Sequence, residues 1–169
     1  NGKMNRHKVR YRKYVDTELC YLEVKYKSNK GRTVKKRTKR SDIRPDFSDR
    51  SIEFLAKYFP LPAEELGAKL ANEFKRITLV SLTTKERVTI DLDLKFELND
   101  QKVSVSELII AEVKQEKYNV RSSFIQTMKK FRIRPMRISK YCIGTVLMNS
   151  DAKNNLFKED IKYNRFKPK

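Results

Sequence analysis

A chain of 169 residues, 38% of them hydrophobic, has the size of one domain and enough apolar side chain to bury a core. Its 40 Lys and Arg against 21 Asp and Glu leave a net charge of +19, which points to a polyanionic partner: nucleic acid, an acidic membrane surface or phosphate-rich small molecules. With His7 the one histidine, a His-rich metal site is excluded, so a metal must rest on carboxylates, which favours a hard ion such as Mg²⁺ or Mn²⁺.

Arg6 to Tyr14 is a predicted strand with Arg6, Lys8, Arg10 and Arg12 on one face. Cys20 to Lys27 is a second, with Tyr21, Glu23, Lys25 and Lys27 opposed to Cys20, Leu22, Val24 and Tyr26. Ser28-Asn29-Lys30-Gly31 reads as a hairpin turn, Gly31 being free to take a positive φ. Thr33 to Thr38 returns as a third strand with Thr33, Lys35 and Arg37 on one face. A charged loop follows, and Asp49 is expected to cap a helix through Ile52, Leu55, Ala56 and Phe59 that Pro60 and Pro62 end. Ala63 to Asn72 carries a second short helical pattern through Leu66 and Leu70.

Phe74 to Leu82 is a fourth strand, with Arg76 and Thr78 on one side and Ile77 and Leu79 on the other. The next strand alternates without a break: Arg87, Thr89, Asp91 and Asp93 against Val88, Ile90, Leu92 and Leu94. Asn99-Asp100 is a turn. Leu108 to Lys114 is a further strand that sets Ile110, Glu112 and Lys114 against Ile109, Ala111 and Val113. The tripeptide Glu-Val-Lys occurs twice, at Glu23 and at Glu112. Arg121 to Phe131 is an amphipathic helix with Phe124, Met128 and Phe131 as core positions, and Ser139 caps a last helix through Tyr141, Cys142, Val146 and Leu147. Residues 149–169 read as a polar tail. Cys20 and Cys142, far apart and within apolar patterns, suit buried thiols in a reducing compartment. No apolar run approaches the ~18 residues of a membrane span and no signal peptide is visible, so a cytoplasmic location is expected.

Two architectures fit these strands. In one, the apolar faces stack on helices and the basic faces meet water. In the other, the sheet closes into a barrel with the charged faces inside. Buried like charges cost several kcal/mol each unless paired, so such a lumen needs a multiply charged anion. The pattern alone does not choose between them.

Arg10-Tyr11-Arg12, Glu23-Val24-Lys25, Val34-Lys35-Lys36-Arg37, Arg87 to Asp93, Glu112-Val113-Lys114 and Ser139 to Gly144 come in the order and approximate spacing of the VTC domain. Over about residues 1–148 the chain resembles this polyphosphate polymerase domain of the vacuolar transporter chaperone family, within the triphosphate tunnel metalloenzyme superfamily. The resemblance implies an α+β fold, an antiparallel β-barrel tunnel with flanking helices. Inside it, the terminal phosphoryl of a nucleoside triphosphate such as ATP would pass to a growing polyphosphate. Residue by residue, Arg10, Arg12, Lys25, Lys35, Arg76, Arg87 and Lys140 match the phosphate-contacting positions, and Glu112 matches the carboxylate that binds Mn²⁺ or Mg²⁺. Arg37, on the face of Lys35, and Lys114, on the face of Glu112, join the phosphate-binding candidates; Lys25, Arg87 and Lys140 are the catalytic ones.

The opening strand of that family, bearing a Glu-x-Lys pattern, has no counterpart upstream of Arg10. The chain is thus a fragment, or its tunnel is completed otherwise, or the tunnel is incomplete. Asp91 and Asp93 could hold metal or orient the arginines, and pairing is the favoured role. Glu23 is expected to pair with Lys25 or with a cation on a neighbouring strand. A triphosphatase of the same superfamily and a non-catalytic polyphosphate-binding or nucleic-acid-binding module are the rival readings. The lack of a helix-turn-helix, a zinc pattern or stacking aromatics makes nucleic acid the poorer partner.

Overall fold

A computed structural model describes residues 5–149 and 151–152. Nearly all of the expected tail lies outside the described residues, as does the stretch before Asn5. The chain divides into two compact units, one up to Ala68 and one from Lys69. Each has its own apolar cluster.

The first unit is an antiparallel meander of β1 (Arg6–Tyr14), β2 (Leu19–Lys27) and β3 (Thr33–Arg40), with β2 in the middle. Period-two alternation gives it one apolar and one charged face. Leu22 and Val24 are buried against Leu55 of helix α1 (Asp49–Tyr58), with Val9, Tyr11, Phe47, Phe54 and Phe59 around them. The β2–β3 turn closes as expected: Gly31 sits at φ +77°, and its N–H donates to the Ser28 carbonyl at 3.1 Å. The helix cap is Ser48, one residue before the expected Asp49, which stands instead in the first turn.

The second unit is a four-stranded antiparallel sheet of β4 (Ala71–Val80), β5 (Glu86–Leu98), β6 (Gln101–Val105) and β7 (Ile110–Gln115). β4 flanks the whole of β5; β7 and β6 share its other edge, β7 against Glu86–Asp91 and β6 against Leu94–Leu98. Helices α2 (Ser123–Lys130) and α3 (Lys140–Met148) follow, and Ser122 and Ser139 cap them through their hydroxyls. The core gathers Leu94, Phe96, Val105 and Ile110 under Ile143 of α3.

Four further expectations change. The described strands form two open sheets, not a closed barrel: closure needs ladder bonds between end strands, whereas β1 and β3 pair only with β2, and β4 only with β5. Over Ala63 to Asn72 there is a single turn of 3-10 helix, Ala63–Glu65, and then extended chain. Leu66 and Leu70, read as neighbours on one helix, pack into the clusters of separate units. Phe131 is not core; it ends α2 and is 67% exposed. Strand β6 was not anticipated, although Asn99 and Asp100, both at positive φ, form the tight turn that leads into it.

No helix among the described residues is long and apolar enough to cross a membrane. Both cysteines are free thiols, Cys20 buried and Cys142 partly so.

Candidate functional site

Strand register decides which charges stand together. In the first unit the rows across the charged face are Arg10–Glu23–Arg37, Lys8–Lys25–Lys35 and Arg12–Tyr21–Lys39. Arg10, Arg12, Lys25, Lys35 and Arg37, read from sequence as phosphate contacts, therefore lie on one surface. Like charges directly across a ladder repel unless they are partnered, and Lys35 of this row is partnered by Glu23. Arg37 leans on the Tyr21 ring, 4.6 Å from its centroid, and Arg12 on Tyr14 at 5.2 Å.

Beneath these cations lies Glu23, 2% exposed. Its partners are not Lys25 but cations from the two flanking strands. Arg10 donates from Nε to Oε2 at 2.8 Å with Nη2 at 2.6 Å, and Lys35 sets its ammonium against Oε1. Burial opposes its ionisation, but hydrogen bonds from Lys35 and Arg10 outweigh burial and hold the carboxyl below its usual range.

In the second unit the rows on one face of the sheet are Arg76–Asp91–Ile110, Thr78–Thr89–Glu112 and Val80–Arg87–Lys114. Asp91 repeats the arrangement of Glu23. It is 2% exposed, takes Arg76 Nε on Oδ1 at 2.6 Å and Nη2 on Oδ2 at 2.7 Å, and meets Lys140 of α3 at Oδ2. Burial again works against its charge and is outweighed by Arg76 and Lys140, so its carboxyl too is held low. Both cations also lean on Phe74, at 5.1 and 4.7 Å from the ring centroid. The helix brings Lys140 there because α3 seats closely: a Cβ on Gly144 would collide with the Phe96 ring and Leu70.

Asp93 leaves the face that strict alternation assigns it. It sits at φ +53°, opposite a register shift between Glu73 and Lys75, so β5 carries one extra residue there. Beyond this bulge Leu94 and Phe96 fall on the side of Asp91, and Asp93 pairs with Lys75 at 2.9 Å. Upstream the alternation holds: Val88 is buried on the opposite face, with Ile90 and Leu92 partly covered.

Glu112 lies on an edge strand, 53% exposed, and its neighbour is Lys114 of the same strand at 3.4 Å. Among the described residues there is no group of three His, Cys, Asp or Glu able to hold a metal. Both oxygens of Asp91 are already engaged by cations. One half-exposed carboxylate fits a divalent ion shared with phosphate oxygens, the usual mode of Mg²⁺, and does not fit a cage made by protein alone.

Three contributors escaped the sequence reading. Phe74 could have been found, since period two puts it on the face of Arg76. That Glu23 takes one cation from each flanking strand follows only from register. Thr89, 5% exposed with no hydrogen-bond partner for its hydroxyl, has no signal in sequence.

The profile of the VTC domain matches residues 1–149. No curated protein and no solved structure matches the chain.

Proposed function

The chain belongs to the VTC domain family, and from that premise we propose that it is a polyphosphate polymerase-like domain. In this reading it moves the terminal phosphoryl of a nucleoside triphosphate onto a polyphosphate chain. The bond from the terminal phosphorus to its bridging oxygen breaks, a terminal oxygen of the chain bonds to that phosphorus, and nucleoside diphosphate leaves. The observation that carries the reading is the gathering of Arg10, Arg12, Lys25, Lys35 and Arg37 on one face of the three-stranded sheet. Five cations on one face, with Glu23 the single carboxylate among them, favour an anion that carries several charges.

Phosphoryl transfer asks the protein for alignment and neutralisation more than for covalent help. Arg10, Arg12, Arg37, Arg76 and Arg87 would grip phosphate oxygens through the planar guanidinium fork. Lys25, Lys35, Lys114 and Lys140 would act as point charges beside bridging oxygens. Of these, Lys25 in the first unit and Arg87 and Lys140 in the second are the ones we propose as catalytic. Glu112 would hold Mn²⁺ or Mg²⁺ together with phosphate, and the ion when bound supplies Lewis-acid polarisation of the transferred group.

The test incubates the full-length protein with ATP and Mn²⁺ and resolves the products. Polyphosphate with ADP is the expected outcome. Orthophosphate as the sole phosphate product makes the domain a hydrolase. No turnover, with retained binding of tripolyphosphate, makes it a binding module.

A further inference from the structure

We propose that Glu23 and Asp91 are positioning residues for phosphate, each fixing within its own unit one arginine and one lysine in the orientation an anion needs. The inference rests on the polyphosphate reading above and deepens it. It starts from a device that occurs twice. In each unit one carboxylate on the middle strand of the charged region is 2% exposed and receives an arginine through Nε together with a lysine ammonium. The cations come from different elements: β1 and β3 for Glu23, β4 and α3 for Asp91. The carboxylate is enclosed but its cations are not. Side-chain exposure is 41% for Arg10 and 39% for Lys35, 29% for Arg76 and 20% for Lys140.

That geometry has a chemical consequence. Arg10 and Arg76 each set Nε and Nη2 against the buried carboxylate, which fixes the plane of the guanidinium. A lysine anchored at its tip no longer samples its many rotamers. The ordering is then complete before an anion arrives, and the anion need not supply it. Each cluster of one carboxylate and two cations still carries a charge of +1.

Two physical models now predict opposite signs. If the face binds anions by summed charge, neutralising either carboxylate raises the net charge from +19 to +20 and tightens binding. If the carboxylates position the cations, the same change loosens them and weakens binding. The control is Asp93→Asn, which makes the identical change in charge at an aspartate paired with exposed Lys75, away from the Asp91 cluster.

The experiment titrates the wild-type chain, Glu23→Gln, Asp91→Asn and Asp93→Asn with tripolyphosphate at several salt concentrations, well below each melting temperature. We expect Glu23→Gln and Asp91→Asn each to weaken binding by about tenfold or more, and Asp93→Asn to stay within about twofold of wild type. A role confined to holding the fold would lower the melting temperature and leave the affinity of the folded protein unchanged. Folded Glu23→Gln and Asp91→Asn binding as tightly as wild type, or more tightly, overturns the proposal. Wild-type protein that does not bind tripolyphosphate overturns the polyphosphate reading instead. Should a variant not fold, the wild-type chain still decides. The Nε–H signals of Arg10 and Arg76 are expected to be separate and slowly exchanging before ligand is added. Finding them averaged with the exposed arginines overturns the positioning role.

Discussion

At the scale of single residues, Glu23 and Asp91 tie stability to pH. Both are buried, and burial by itself favours the neutral acid; the cations against them win, so both folded carboxyls titrate below the ordinary range. Unfolded carboxyls titrate near about pH 4. A depressed folded pKa means that the unfolded chain binds the extra proton, so the stabilisation is complete above about pH 5 and is lost as pH falls through the folded values. The urea midpoint should therefore drop on acidification below about pH 4, and Asp91→Asn should remove part of that drop. A wild-type midpoint that is flat from pH 5 down to pH 3 would contradict this account.

At the scale of elements, the two Glu-Val-Lys tripeptides show what strand position does. Glu23 lies on a middle strand and has a cation available on either side; Glu112 lies on an edge strand, where it meets water and Lys114. Identical local sequence gives one enclosed, doubly paired carboxylate and one open to water. Helix α3 makes a second point. Its approach to β5 is set by Gly144 against Phe96, and Lys140 stands about one turn earlier on the same helix. Gly144→Ala should cost about 1–3 kcal/mol by overpacking, read from urea unfolding, because Phe96 is 1% exposed and has little room to yield. An unchanged midpoint would mean that α3 is not seated as described.

At the scale of the whole molecule, a net charge of +19 is a standing repulsion that any bound polyanion would relieve. Anything that binds only the folded state stabilises it; at a concentration about 100 times Kd the gain is about 2.7 kcal/mol. Tripolyphosphate at that level should raise the melting temperature by roughly 5–10 °C, and chloride at matched ionic strength by much less. An equal rise with chloride would reduce the effect to plain screening.

The sequence by itself determined the strands other than β6, the sidedness of their charges apart from Asp93, and the serine cap of the last helix, because period-two alternation and a serine before an apolar run are local signals. Arg10, Arg12, Lys25, Lys35 and Arg37 could be put on one face from alternation alone, as could Arg76 with Thr78. Only the tertiary structure decided which cation meets which carboxylate, since a one-residue change of register exchanges every partner. It also decided that Asp93 leaves the face of Asp91, because a bulge depends on the residue count of two strands together, and that the described strands form two open sheets. Pairing between strands is a property of distant segments, and no stretch of alternating residues records its own neighbours.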